Sequence, residues 1–152
     1  MISRTRRFVV AMGALCIGAL VLHGRCATLL LNSGDAALSQ GKLAVARTLY
    51  LRALWFAPHD AVMSERVIFS DLQDGRPAIL REALQLSAQA LRYHPRASDI
   101  WLDRAFCATR LGQTRTAAHA FWQVSLLSPQ PHLRWMSRRI AWRLSQGPGG
   151  GR

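Results

Sequence analysis

Three apolar runs in this chain each stop at a proline: Ala53-Leu-Trp-Phe-Ala-Pro58, Ala90-Leu-Arg-Tyr-His-Pro95 and Val124-Ser-Leu-Leu-Ser-Pro129. The prolines stand 37 and 34 residues apart. Proline has no N–H to continue a helix, so each marks a helix end. Upstream of them the same residue types recur. Gly41 is followed by Ala46, Tyr50 and Ala53, Gly112 by Ala117, Phe121 and Val124, and Gly75 by Ala83, Ser87 and Ala90. A glycine just past a helix takes up left-handed backbone without steric cost. Alanines seven apart share one helix face, and small side chains there let a neighbouring helix approach to about 8–10 Å. The remaining apolar spacing is helical, as in the stripe Leu43, Ala46, Leu49, Tyr50, Ala53 and Leu54, and strand-like alternation is absent. The pattern predicts an all-α chain of antiparallel helices near 28–39, 43–57, 60–73, 77–93, 97–111, 114–127 and 131–145.

A period near 34 with a helix, a glycine turn, a second helix and a terminal proline resembles the tetratricopeptide repeat (TPR). With the first repeat starting at Ala27, the family's small and aromatic positions fall on Gly34, Gly41, Ala46, Tyr50, Ala53 and Pro58. A third repeat from Ser98 supplies Trp101, Gly112, Ala117, Phe121 and Pro129, but has Ala105 for the first glycine and Val124 for the second alanine. The middle repeat departs most. Ser87 replaces the aromatic, and about three extra residues, including Pro77, separate Gly75 from Ala83. That proline suits the first turn of a helix. The resemblance implies a TPR-like solenoid with repeats at about 27–60, 61–97 and 98–131, then a capping helix over 132–146. Such a solenoid presents a concave surface lined by the first helix of each pair. The groove positions correspond to Leu31, Asp35 and Leu38, to Val62, Glu65 and Phe69, and to Leu102, Phe106 and Arg110. Glu65, Phe69, Leu102, Phe106 and Arg110 are the expected contacts with a protein partner, held as an extended or helical peptide.

The N-terminus has a different character. Met1–Arg7 is a basic flank, and Phe8 to Leu22 carries no charge. Fifteen residues fall short of the roughly 20 that a membrane span needs. Arg6 and Arg7 on one side and Arg25 on the other can reach the headgroups, extending the span to 8–26. A cleaved signal peptide competes with this reading. Cutting after Ala27 would put Arg25 three residues before the site, however, and cutting after Gly24 would put Leu22 there. An uncleaved anchor over 1–26 is the preferred reading. It would be single-pass in the inner (cytoplasmic) membrane, with a cytoplasmic N-terminus and an outward, periplasmic domain. The small residues Ala11, Gly13, Ala14, Gly18 and Ala19 would allow close helix contact inside a larger membrane complex.

The formal charge of +12 is unevenly spread. Residues 26–103 hold eight basic and eight acidic residues, whereas from Arg104 to the end there are eight arginines and no acid. Arg134, Trp135, Arg138, Arg139, Trp142 and Arg143 lie in the last helix, opposite an apolar face of Leu133, Met136, Ile140 and Leu144. A capping helix needs a polar outer face. A basic, tryptophan-bearing face also suits anionic lipid or an acidic partner. The Gly-rich tail 147–152 is expected to be disordered.

Cys16, Cys26 and Cys107 have no metal-ligand spacing, and a Cys26–Cys107 bridge stays open only in an oxidising compartment. His23, His59, His94, His119 and His132 are scattered, and Asp71 with Asp74 beside Gly75 reads as a solvated turn. No catalytic motif is present, so no enzyme activity, cofactor or metal is expected. The charge, split between a membrane flank and one terminal patch, matches no nucleic-acid-binding fold. The expected function is a membrane-tethered scaffold or assembly factor of a bacterial envelope complex. The alternative is an accessory subunit docking through its transmembrane helix.

Overall fold

The computed structural model describes residues 24–146, all of whose regular structure is helical. Helix α1 covers 24–39 of these residues, followed by α2 (Leu43–Phe56), α3 (Ala61–Asp74), α4 (Pro77–Tyr93), α5 (Ser98–Arg110), α6 (Thr114–Leu127) and α7 (Pro131–Ser145). Six of the seven lie within one residue of the spans read from the sequence at either end. The exception is α1, which is already helical at Gly24 and runs across the expected boundary between anchor and helical domain at residues 26 and 27. The remainder of the expected anchor, 1–23, and the tail 147–152 lie outside the described residues. Among those described, no helix is long and apolar enough to cross a membrane.

The turns repeat because the glycines do. Gly41, Gly75 and Gly112 have φ of 71°, 75° and 69°, each just after the first helix of a pair. At two of them the chain closes with a bond five residues back, Lys42 N–H to the Ala37 carbonyl at 3.0 Å and Gln113 N–H to the Ala108 carbonyl at 2.9 Å. This satisfies carbonyls that the helix end would otherwise leave open. Pro58, Pro95 and Pro129 each stand two residues beyond the end of a second helix, and Pro77 and Pro131 open α4 and α7.

Consecutive helices pack pairwise, and α3 also packs directly on α5, so the first helices of neighbouring pairs lie side by side. The core follows the small-residue faces: Ala46, Ala53, Ala83, Ala105, Ala108, Ala117, Ala120 and Val124 are fully buried. Within each pair the volumes at two repeat-equivalent positions trade off. In the first pair Gly34 meets Tyr50, and a Cβ on Gly34 would stand 2.4 Å from the Tyr50 ring. Tyr50 Oη donates to Asp35 Oδ1 at 2.7 Å. In the third pair Ala105 shares a cluster with Phe121. In the second pair the order inverts: Ile68 occupies the glycine's place and Ser87 the aromatic's, and both are fully buried.

Two readings from the sequence need correction. Asp71 is not in a solvated turn. It is buried, and Arg47 Nε reaches its Oδ1 at 2.5 Å while Arg47 Nη2 reaches Glu82 Oε2 at 2.6 Å. This triad ties α2, α3 and α4 together across the seam between the first two pairs. Burial pushes the Asp71 carboxyl up, against the opposing pull of Arg47. On α7 the buried positions are Ser137 and Ala141, with Ile140 half-buried, while Met136 faces outward. Close contact between α6 and α7 favours the smallest side chains at its centre, with Ile140 and Leu144 packing beside them, so of the expected apolar face Met136 is the member turned outward.

Candidate functional site

Two of the surfaces that this packing leaves exposed carry residues singled out by the sequence. The first is the face where α3 and α5 lie side by side. On α3, Val62 is 49% exposed, and Glu65 and Phe69 are half-buried one and two turns further on. On α5, Asp99 is exposed, Leu102 is half-buried and Phe106 is 43% exposed. Leu102 packs against the cluster of Ala105, Ala120, Phe121 and Ala141, and Phe106 meets Phe121 edge-on at 5.6 Å. Arg110 is tied down: its Nη1 donates to the Leu72 carbonyl near the end of α3, which joins the two helices. The three positions expected from α1 are held by the structure. Leu31 and Leu38 pack on the Tyr50 cluster, and Asp35 accepts from Tyr50 with Arg66 Nε at 3.5 Å.

Of the three residues that set the charge of this face, sequence reasoning named Glu65 and missed Asp99 and Asp103. Asp99 and Asp103 stand four apart on α5, and Glu65 of α3 joins them electrostatically. Burial, with Glu65 and Asp99 adding to it, pushes the Asp103 carboxyl up to about 7, and burial with Asp99 raises Glu65. The usable signal was an acidic i, i+4 pair on a first helix with no base at the following i, i+4 position: Asp103 is followed there by Cys107. The neighbouring arginine turns away. Arg104 Nη1 donates to the Leu84 carbonyl at 2.8 Å and to Ser87 Oγ at 2.9 Å.

The second surface is the outer face of α7. Arg134, Trp135, Arg138, Arg139, Trp142 and Arg143 are all exposed, Trp135 at 59% and Trp142 at 61%. The Arg139 guanidinium lies over the Trp135 ring at 4.6 Å, and Arg138 lies 5.9 Å from the Trp122 ring of α6. Trp135, Met136, Arg139, Ile140 and Arg143 border an open depression of about 240 Å³. Rings covered by guanidinium groups keep an aromatic surface in water while leaving the cations available to an anion.

Among the described residues no set of His, Cys, Asp and Glu closes into a metal site. Cys26 is exposed and Cys107 buried, both as free thiols, so the bridge between them left open by the sequence is not formed. Burial pushes the Cys107 thiol up to about 12, which keeps it protonated and unreactive.

No protein-family model matches the sequence, and no curated protein matches it. Solved structures do resemble the fold. The TPR domain of Arabidopsis OM64 superposes with a TM-score of 0.71 at 18% identity, covering 82% of this chain and 98% of that one. The first TPR of Spaghetti (RPAP3), bound to the HSP90 peptide SRMEEVD, gives 0.69 at 18% identity over 80% of this chain and 98% of that one. The second TPR domain of human RPAP3, in complex with the HSP70 peptide SGPTIEEVD, gives 0.67 at 18% identity over 83% and 98%. The fold is TPR-like and all-helical.

Proposed function

We propose that this chain is a protein-holding module rather than an enzyme, and that it receives a peptide or helical segment of a partner against α3 and α5. The observation that carries this reading is the row of groove side chains that the core leaves partly exposed: Val62, Glu65 and Phe69 on one helix, Asp99 and Phe106 on the next. Two of the similar domains are described with peptides bound, which supports a segment as the occupant. Their peptides are acidic, whereas Glu65, Asp99 and Asp103 make this groove acidic, so the chemistry of those ligands does not carry over.

The basic flank and the uncharged run 8–22 support a tethered module, a scaffold or assembly factor of a bacterial envelope complex. Tethering raises the effective concentration of a partner in the same membrane. Exchanging residues 1–26 for an unrelated anchor tests this. Co-purification of the same partner from detergent extracts is expected to survive the exchange and to be lost in a Phe69→Ala/Phe106→Ala variant. Loss on anchor exchange with the groove intact would favour the accessory-subunit reading.

The tryptophan–arginine face of α7 favours a second contact, with anionic lipid or an acidic partner. For the full chain reconstituted in vesicles, phosphatidylglycerol is expected to blue-shift tryptophan emission relative to phosphatidylcholine. A Trp135→Phe/Trp142→Phe variant should lose that shift. An equal spectrum in both lipids would remove the lipid contact.

A further inference from the structure

Five of the eight acidic residues have a partner. Arg66 lies beside Asp35, the Met63 N–H donates to Asp60, Arg47 holds Asp71 and Glu82, and Arg76 holds Asp74. The three that remain, Glu65, Asp99 and Asp103, are the three that meet on the α3–α5 face, and none of the ion pairs among the described residues includes them. Asp99 has a weak contact from Ser98 Oγ at 3.5 Å, while Asp103 is 9% exposed and accepts no hydrogen bond. The Asp103 oxygens are not among the fully buried side-chain atoms without a hydrogen bond, so the carboxylate still reaches the face, but an ionised carboxylate so largely desolvated without a partner is costly. Lack of arginine is not the cause. Arg104 adjoins Asp103 in sequence yet is bound to α4, and Arg110 is bound to the end of α3.

We infer that Glu65, Asp99 and Asp103 form a subsite for the arginine or lysine side chain of a protein segment lying in the groove. This rests on the reading of the groove as a protein-binding surface. A metal ion is the poorer occupant, because the carboxylates do not converge into a metal-ligating set. The flanking surface is apolar and aromatic, with Val62 and Phe69 on α3 and Phe106 on α5. It would take the stem of the cationic side chain and its apolar neighbours, while the carboxylates take the head. An arriving cation also offsets the mutual repulsion that, together with burial, pushes the Asp103 and Glu65 carboxyls up, Arg66 pulling Glu65 the other way.

The test pans a random nine-residue peptide library against the full chain in detergent micelles. The Glu65→Gln/Asp99→Asn/Asp103→Asn variant runs in parallel, and circular dichroism melts establish that it is folded. Peptides selected by the natural chain are expected to carry Arg or Lys flanked by apolar residues. A labelled representative should bind the variant about tenfold more weakly, the scale of one charge-assisted hydrogen bond. Replacing its arginine by citrulline should weaken it similarly. Peptides without basic enrichment, or binding that is indifferent to the variant or to citrulline, would overturn the cation subsite and leave the groove reading standing. Acidic peptides insensitive to the variant would do the same and move recognition to α7. Failure to select any peptide would remove the groove reading itself.

Discussion

The seam between the first and second helix pairs and the seam between the second and third use the same kinds of residue to opposite ends. At the first seam Arg47 reaches across to Asp71 and Glu82, so the buried acid is matched. At the second, Arg104 and Arg110 are directed to the carbonyls of Leu84 and Leu72, and the acid Asp103 is buried unmatched. One repeat position differs between the two as well. The first pair has Tyr50 there, filling the space over Gly34, whereas the second has Ser87, whose hydroxyl accepts from Arg104. With no ring at that position, the Ser87 hydroxyl joins the Leu84 carbonyl in holding Arg104, and no arginine is paired with the carboxylates of the α3–α5 face.

The largest effect that would sharpen this contrast is expected at Tyr50. Tyr50→Ala should cost about 3–5 kcal/mol of unfolding free energy, since it empties a fully buried ring site. The equivalent Ser87→Ala should cost only about 1–2 kcal/mol, for the two hydrogen bonds its hydroxyl makes, to the Leu84 carbonyl and from Arg104, because Ile68 already fills the core on the other side. Equal losses in urea titrations would break the comparison.

Next come the two acids, for which opposite signs are expected. Asp71→Asn should destabilise by roughly 1–3 kcal/mol, as it weakens a charge-assisted bond and leaves Arg47 with Glu82 as its one charged partner. Asp103→Asn should instead stabilise the chain above pH 7, by up to roughly 4 kcal/mol, the scale set by a carboxyl moved upward by folding. The sign follows from linkage. With the folded carboxyl near 7 and the unfolded one near 3.8, the folded state binds the extra proton between them. Stability from this group is therefore full below about pH 4 and is lost as pH rises through about 7. The groups acting on Asp103 are Glu65 of α3 and Asp99 of α5, with the Cys107 thiol one turn away. Melting temperatures from pH 4 to 8 should fall less steeply in Asp103→Asn than in the natural chain. A parallel pair of curves would place Asp103 in water.

The smallest effect concerns fit. Gly34→Ala gains about 1 kcal/mol of helix propensity but must displace the Tyr50 ring, at an overpacking cost of about 1–3 kcal/mol. A net loss of about 1 kcal/mol is expected. Adding Tyr50→Phe should recover part of it, since the ring is then freed from Asp35 and the pair becomes that of Ala105 and Phe121. A double variant no more stable than Gly34→Ala would show that the third pair tolerates its alanine for another reason.

Helix order, turns and ends were legible because they depend on local chemistry. A glycine at left-handed φ, a proline without an N–H and alanines on one helical face act within a few residues of themselves, and Gly41, Gly75, Gly112, Pro58, Pro95 and Pro129 do what their types require. Phe69 and Phe106 were placed for the same reason, since they sit at fixed places in a repeat, and the packing leaves both partly exposed on the α3–α5 face. What the three-dimensional packing alone decided was how the charges are partnered. Asp71 and Arg47 are 24 residues apart, and Arg110 and Leu72 are 38 apart. No spacing rule joins them. Whether a carboxylate is matched or left bare depends on which guanidinium arrives across a helix seam, and an arginine side chain is long enough to reach more than one acceptor. The sequence alone therefore determined where the helices run and where they turn, whereas stacking them decided which acids the groove would present.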